Sequence, residues 1–233
     1  MEEGVAILSI NCELQCANRR DAQWRAVVAR VRRAYSGWLT ESAMPLGCAG
    51  SAQYPNGTTI GGPGQCAGVM AGSLLGACTD GVGWWDTLDL IGVDAYFVLN
   101  GTTSTVLAQQ WRRYVAWARE LSHHHKKPVV FTEVGYCSGG CNRQGAASAA
   151  DYALQALHYQ GLFDAFAGEE AWFLGAFWWN WNSDDGFNHG DTFLSPQWKP
   201  AEDVLRRYYR ATVPKPQPRH GASECMGAGL GTC

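Results

Sequence analysis

Five strand-length apolar runs that alternate with stretches of helical periodicity constrain this chain more than any other feature. Val5-Ala6-Ile7-Leu8-Ser9-Ile10 is nearly continuously apolar, the pattern of a parallel strand buried on both faces. Trp24, Val27, Val28, Val31 and Tyr35 then recur at three- and four-residue steps, and Gly37 ends that helix before a short strand from Trp38 to Ala43. The third strand runs from Leu88 to Phe97, and Ser104 caps a helix whose apolar face is Leu107, Trp111, Tyr114, Ala118 and Leu121. Pro128 to Val134 is the fourth strand. Ser148 and Asp151, three apart, form a capping box for a helix faced by Tyr152, Ala156, Tyr159, Phe163 and Phe166. The fifth strand is Leu174 to Asn180, and Pro200 suits the first turn of a last helix, Ala201 to Tyr209.

Such alternation indicates an α/β fold with a parallel sheet, either doubly wound or part of a (β/α)8 TIM barrel. No Gly-x-Gly-x-x-Gly follows a strand, and Gly61-Gly62-Pro63-Gly64 lies in an aperiodic Gly/Cys-rich stretch, 45–83, that reads as a loop insertion. A nucleotide site is therefore unsupported, and the barrel is the better reading. A closed barrel needs eight strands in about 250 residues, so five in this chain describe an incomplete one.

Composition narrows the partners. Eighteen Lys and Arg against 21 Asp and Glu leave a net charge of −3, which offers no broad basic surface for nucleic acid. No apolar run approaches the roughly 20 residues of a membrane span, and Met1-Glu2-Glu3-Gly4 is unlike the start of a signal peptide. Yet nine cysteines, clustered as Cys12 with Cys16, Cys48 with Cys66 and Cys78, Cys137 with Cys141, and Cys225 with Cys233, read as a disulfide framework. With the Asn-Gly-Thr sequons at Asn56 and Asn100 they point to an extracellular or secretory-pathway protein whose signal is not in this chain. The cysteine spacings do not match a zinc knuckle, and His123-His124-His125-Lys126-Lys127 closes a helix, where positive charge meets the C-terminal dipole. No metal and no cofactor is expected.

Two carboxylates stand where a barrel builds its active site: Glu13 just past the first strand and Glu133 at the C-terminal end of the fourth. A pair of carboxyl groups is what cleavage of a glycosidic bond requires, one protonating the departing oxygen while the other attacks the anomeric carbon. Eleven tryptophans, with Trp178-Trp179-Asn180-Trp181 ending the last strand, supply indole faces for sugar C–H groups, and Asn180, Asp184 and Asp185 can hydrogen-bond hydroxyls. Trp178 and Trp179 point to opposite faces of the strand, so one of them is expected to pack on a helix.

Ser9-Ile10-Asn11-Cys12-Glu13-Leu14, Trp84-Trp85-Asp86-Thr87-Leu88-Asp89 running into Ile91-Gly92-Val93-Asp94-Ala95-Tyr96-Phe97, Phe131-Thr132-Glu133-Val134-Gly135-Tyr136 and Trp178-Trp179-Asn180-Trp181 resemble glycoside hydrolase family 113, the β-mannanase group within clan A. The resemblance covers residues 5 to 210 and implies strands four to eight of the barrel, with Glu13 as acid/base, Glu133 as nucleophile and Tyr96 hydrogen-bonded to the nucleophile. Many clan members place Asn immediately before the acid/base; here Cys12 holds that position and Asn11 comes one residue earlier.

The expectation is thus a retaining hydrolase of β-linked, mannan-type polysaccharide. Glu13 and Glu133 would be catalytic, and Asn11, Tyr96, Trp178, Trp179 and Asn180 would bind substrate. Residues 1–211 would form the C-terminal part of the barrel domain and 212–233 a Pro-rich linker with a Cys-containing tail. Residues 1–233 alone would be aggregation-prone and inactive, and an upstream segment of roughly 90 residues or more would complete the enzyme as a monomer. The competing expectations are a degenerate, non-catalytic carbohydrate-binding barrel and a disulfide-stabilised interaction module.

Overall fold

The computed structural model describes residues 4–18, 20–43, 52–53, 59–60, 82–139, 148–182 and 192–212. Five parallel strands follow one another across the sheet in chain order. β1 (Ile7–Cys12) pairs with β2 (Trp38–Ser42) from Ile7 opposite Trp38 to Cys12 opposite Ser42. β3 (Ala52–Gln53) and β4 (Thr59–Ile60) form a small antiparallel pair within the insertion. β5 (Ile91–Asp94), β6 (Val129–Val134) and β7 (Phe173–Trp178) make a second parallel block. The blocks join at Ala43, which bridges Val93 in parallel, accepts from Asp94 N–H at 2.9 Å and donates to the Gly92 carbonyl at 3.2 Å. The order is therefore β1-β2-β5-β6-β7, the sequential winding of a (β/α)8 barrel.

The helices are α1 (Gln15–Asn18), α2 (Asp21–Arg32), α3 (Ser104–His125), α4 (Ala149–Phe166) and α5 (Pro200–Thr212). All five residues expected on the core face of α3 are buried. Its N-cap is Thr103, whose hydroxyl accepts from Val106 N–H, so Ser104 is the first helical residue rather than the cap. The capping box of Ser148 and Asp151 on α4 is present as expected. Pro200 opens α5, where the missing N–H costs nothing.

Three boundaries move for physical reasons. β1 continues through polar Asn11 and Cys12, because ladder pairing to Ser42 rather than apolarity sets its end. It is also not buried on both faces: Val5 and Leu8 are exposed, since β1 pairs with β2 alone among the described strands. The stretch from Leu88 to Phe97 forms a strand only at β5. Before β5, Trp85–Thr87 is a 3-10 turn; after it, the Tyr96 and Phe97 N–H groups fold back onto the Asp94 and Ala95 carbonyls. That fold-back swings Tyr96 out of the strand line and toward β6.

The core lies between the sheet and α3 and α4. Trp111 packs at ring-centroid distances of 5.5 to 5.9 Å on Phe97, Tyr114, Phe131 and Phe166, and Trp84 stacks between Trp24 and Trp85. Trp84, Trp85, Trp111, Trp117 and Trp172 are all buried, so much of the indole content serves packing rather than a sugar cleft. No helix among the described residues is long and apolar enough to cross a membrane. The insertion up to residue 81 apart from its two short strands, the residues from 213 onward, and Asp184 and Asp185 lie outside the described residues.

Candidate active site

The C-terminal ends of β1, β5 and β6 converge on one group of polar side chains. Glu133, on β6, is half-buried, and its Oε2 accepts a hydrogen bond from the Tyr96 hydroxyl at 2.7 Å. The Cys12 thiol, at the end of β1, faces Oε1 of the same carboxylate at 3.8 Å, a long and weak contact. Asp94 ends β5, fully buried, and accepts from the Thr132 hydroxyl at 2.7 Å. Glu13 follows β1 directly. Its backbone is left-handed, with φ of 54°, and its N–H donates to the Ser42 carbonyl at 2.9 Å. A non-glycine residue in that region carries strain of about 1 kcal/mol or more, which the neighbouring hydrogen bonds must hold in place.

Electrostatics tie these groups together. Burial, then the Glu133 carboxylate as hydrogen-bond partner and charge, then Asp94 and Glu13, raise the Tyr96 pKa far above its ordinary value. Tyr96 is therefore a neutral donor at any working pH. Burial, followed by the charges of Asp94, Glu133 and Glu13, pushes the Cys12 thiol up to about 12. The charge of Glu13 thus acts on the same two side chains as that of Glu133.

Ligand atoms of Cys12, Asp94 and Glu133 lie within 4.8 Å of one another, and one sulfur with two carboxylates could hold a borderline cation.

The remaining expected residues separate. Asn11 is buried, and its Nδ2 donates to Glu41 at 2.8 Å and to Asn18 at 3.0 Å, so its amide is engaged beneath the strand end. Trp178 turns away from the strand ends: it stacks on Tyr159 at 3.9 Å, leans on Phe163 and donates to the Tyr209 hydroxyl at 3.0 Å. It is the helix-packing member of the pair. Trp179 is exposed at the end of the strand, with its N–H on the Val134 carbonyl at 2.8 Å. Gly135 permits this approach, since a Cβ there would collide with the Trp179 carbonyl oxygen. Asn180, half-buried, donates to Asn182 Oδ1 at 2.6 Å. His125 packs against Trp85 at the end of α3. Cys12 is a free, exposed cysteine, whereas Cys137 is disulfide-bonded; Cys141 lies outside the described residues.

Sequence reasoning did not single out Glu41, Asn18 or Asp94. Asp94 left a signal, a lone carboxylate in the otherwise apolar β5, whereas Glu41 and Asn18 stand among other polar residues in β2 and α1 and left none.

A parallel sheet in sequential order, with helices between its strands, defines the (β/α)8 class of fold. The model of Glycoside Hydrolase Family 113 matches residues 1–46 and 74–191, and the chain belongs to that family. It is similar to the structure of a family 113 β-mannanase from Alicyclobacillus acidocaldarius in complex with ManMIm, with 27% identity and a TM-score of 0.60 over 88% of this chain and 55% of that one. A family 113 β-1,4-mannanase solved as a complex shares 24% identity and a TM-score of 0.59, over 88% and 56% of the two chains. This chain therefore spans little more than half the length of these structures. No curated protein sequence matches it.

Proposed function

We propose that the protein is a retaining glycoside hydrolase acting on β-linked polysaccharide of the mannan type, with Glu133 as nucleophile and Glu13 as acid/base. The observation that carries this reading is the 2.7 Å hydrogen bond from Tyr96 to Glu133 Oε2. A neutral phenol donating to one carboxylate oxygen fixes the plane of the group and leaves the other oxygen to attack, which a nucleophile needs. With Oε2 engaged, Oε1 is the oxygen that attacks, and the long contact to the Cys12 thiol competes with it only weakly.

In the first step Glu133 Oε1 bonds to the anomeric carbon as the glycosidic bond breaks, and protonated Glu13 gives its proton to the departing oxygen. In the second step ionised Glu13 takes a proton from water, the water oxygen bonds to the anomeric carbon, and the ester to Glu133 is released. Exposed Trp179 is the sugar platform of this reading, with Asn180 beside it. The nine cysteines, with Cys137 in a disulfide, support an extracellular setting.

The test is a pair of variants. Glu133→Gln is expected to abolish turnover on every substrate. Glu13→Gln is expected to lose roughly 10²- to 10⁴-fold on polymer but far less on aryl glycosides with good leaving groups, which need little acid assistance. Equal loss on both substrates removes Glu13 from the acid role.

A further inference from the structure

Beneath the strand end that carries Glu13 lies a buried carboxylate that the reaction does not touch. Glu41, on β2, is fully buried, as is Asn18 at the end of α1. Glu41 Oε2 accepts from Asn11 Nδ2 at 2.8 Å, Glu41 Oε1 accepts from Asn18 Nδ2 at 3.1 Å, and Asn11 Nδ2 also donates to Asn18 Oδ1 at 3.0 Å. The three side chains close a ring of hydrogen bonds. Its base is fixed from another direction, because the buried Trp84 indole donates to the Asn18 carbonyl at 3.1 Å. Asn11 and Asn18 bracket the short segment that contains Cys12 and Glu13, so the ring fixes both ends of the segment carrying the acid/base.

Burying a carboxylate costs several kcal/mol before its partners offset it, and an apolar residue would fill the same volume more cheaply. A directional requirement explains the choice. Glu13 sits in a strained left-handed conformation tied to the Ser42 carbonyl, one residue beyond Glu41. Released at either end, the segment could relax to an ordinary extended backbone and turn the Glu13 carboxyl away.

We infer that Glu41 is a positioning residue for Glu13: through Asn11 and Asn18 it holds the acid/base segment in the geometry that proton transfer requires. The inference rests on the glycosidase reading for its kinetic consequence and on the geometry alone for its structural one.

Glu41→Gln keeps the volume but turns one acceptor into a donor, so one side of the ring opens. Pairing it with Asn18→Asp restores the ring with one bond reversed: Asn11 still donates to both partners, and the amide introduced on β2 now donates to the carboxylate introduced on α1. On polymer, Glu41→Gln is expected to lower kcat roughly ten- to a hundredfold, a part of what a positioned general acid contributes, with KM little changed. On activated aryl glycosides the loss should stay within about threefold, because acid assistance matters little there. The double variant should recover most of the polymer rate. Amide hydrogen exchange at Glu13, whose N–H bonds the Ser42 carbonyl, should speed up in Glu41→Gln, return in the double variant, and be unaltered at residues 131–134 in both.

Equal loss on the two substrate types, no loss at all, or a double variant that folds without recovering the polymer rate overturns the inference. Should Glu41→Gln fail to fold, the polymer-to-aryl ratio of the double variant decides alone. Should the wild-type chain, an incomplete barrel, cleave neither substrate, the exchange at Glu13 decides the clamp alone: exchange unaltered in Glu41→Gln overturns it.

Discussion

Tyr96 reaches Glu133 with one hydroxyl, and hydrogen bonds to charged groups contribute about 1.5–3 kcal/mol. Tyr96→Phe removes that donor without changing the ring, so kcat should fall roughly ten- to a hundredfold with a smaller change in KM. Steady-state kinetics on one aryl glycoside check it, and an unchanged kcat would leave the hydrogen bond without a role. A second residue reports on stability. His158 stacks on Tyr136 at 4.4 Å, and burial lowers its pKa from 6.5 to about 4. The unfolded chain therefore binds a proton that the folded protein refuses. Stability is full above about pH 6.5 and declines as pH falls toward 4, by roughly 3 kcal/mol at 1.36 kcal/mol per pKa unit. Asp86, Asp89, Glu169 and Glu202 are held below ordinary values of 3.8 and 4.5, so their contributions fade in more acidic solution. Urea midpoints between pH 7 and 5 should thus fall for the wild type and stay nearly level for His158→Phe. At this scale Glu13 and Glu133 stood out because each follows or ends an apolar strand whose direction in a barrel is known, whereas Tyr96 came only from the family resemblance. The ring of Glu41, Asn11 and Asn18 was not legible, since it joins side chains 23 and 30 positions apart and no local pattern encodes that meeting.

Among elements, the pairing of α3 with α4 shows why propensity alone misleads. Gly161 sits inside α4, where Ala would be favoured by about 1 kcal/mol in an isolated helix. Here a Cβ would stand 2.7 Å from the Leu107 Cβ and 3.3 Å from the Ser104 carbonyl oxygen, both on α3. The two helices approach closely because one side chain is missing. Gly161→Ala should therefore lower stability by about 1–3 kcal/mol through overpacking, despite its better propensity. Thermal unfolding checks the sign, and a rise in midpoint would mean that the helices separate easily. The helices themselves were readable from the three- and four-residue spacing of Leu107, Trp111, Tyr114, Ala118 and Leu121, and from the Ser148–Asp151 box. Strand limits were less so, because β1 extends through polar residues that a ladder partner holds and β5 is shortened by two backbone turns after Asp94. The indoles of the last strand divided in the same way: alternation said that one of Trp178 and Trp179 packs on a helix, but only the structure assigned Trp178 to that role and Trp179 to the surface.

For the whole molecule, the sheet ends matter most. Among the described strands β1 bonds only to β2 and β7 only to β6, so each presents a row of backbone donors and acceptors on its other side. Large apolar side chains accompany both edges: Val5, Leu8 and Trp38 at one, Leu174, Phe177 and Trp179 at the other, with Phe177 57% exposed. Behind β7, an open groove lined by Phe177, Trp178, Trp181, Leu205 and Tyr209 continues the apolar surface onto α5. Parallel edges of this kind template further strand pairing, and proteins that keep them usually place charges there. The net charge of −3 is too small to prevent association by repulsion. Residues 1–233 on their own should therefore self-associate at micromolar concentration, with a weight-average mass in sedimentation velocity that rises with concentration above the 25.4 kDa of one chain. Leu8→Lys together with Phe177→Lys, one charge on each edge, should shift the distribution toward monomer without altering the Glu13 and Glu133 pair. A wild-type chain that stays monomeric across a hundredfold range of concentration would show that both edges are protected by residues other than those described. If the doubly charged variant associates as strongly as the wild type, a surface away from β1 and β7 holds the copies together.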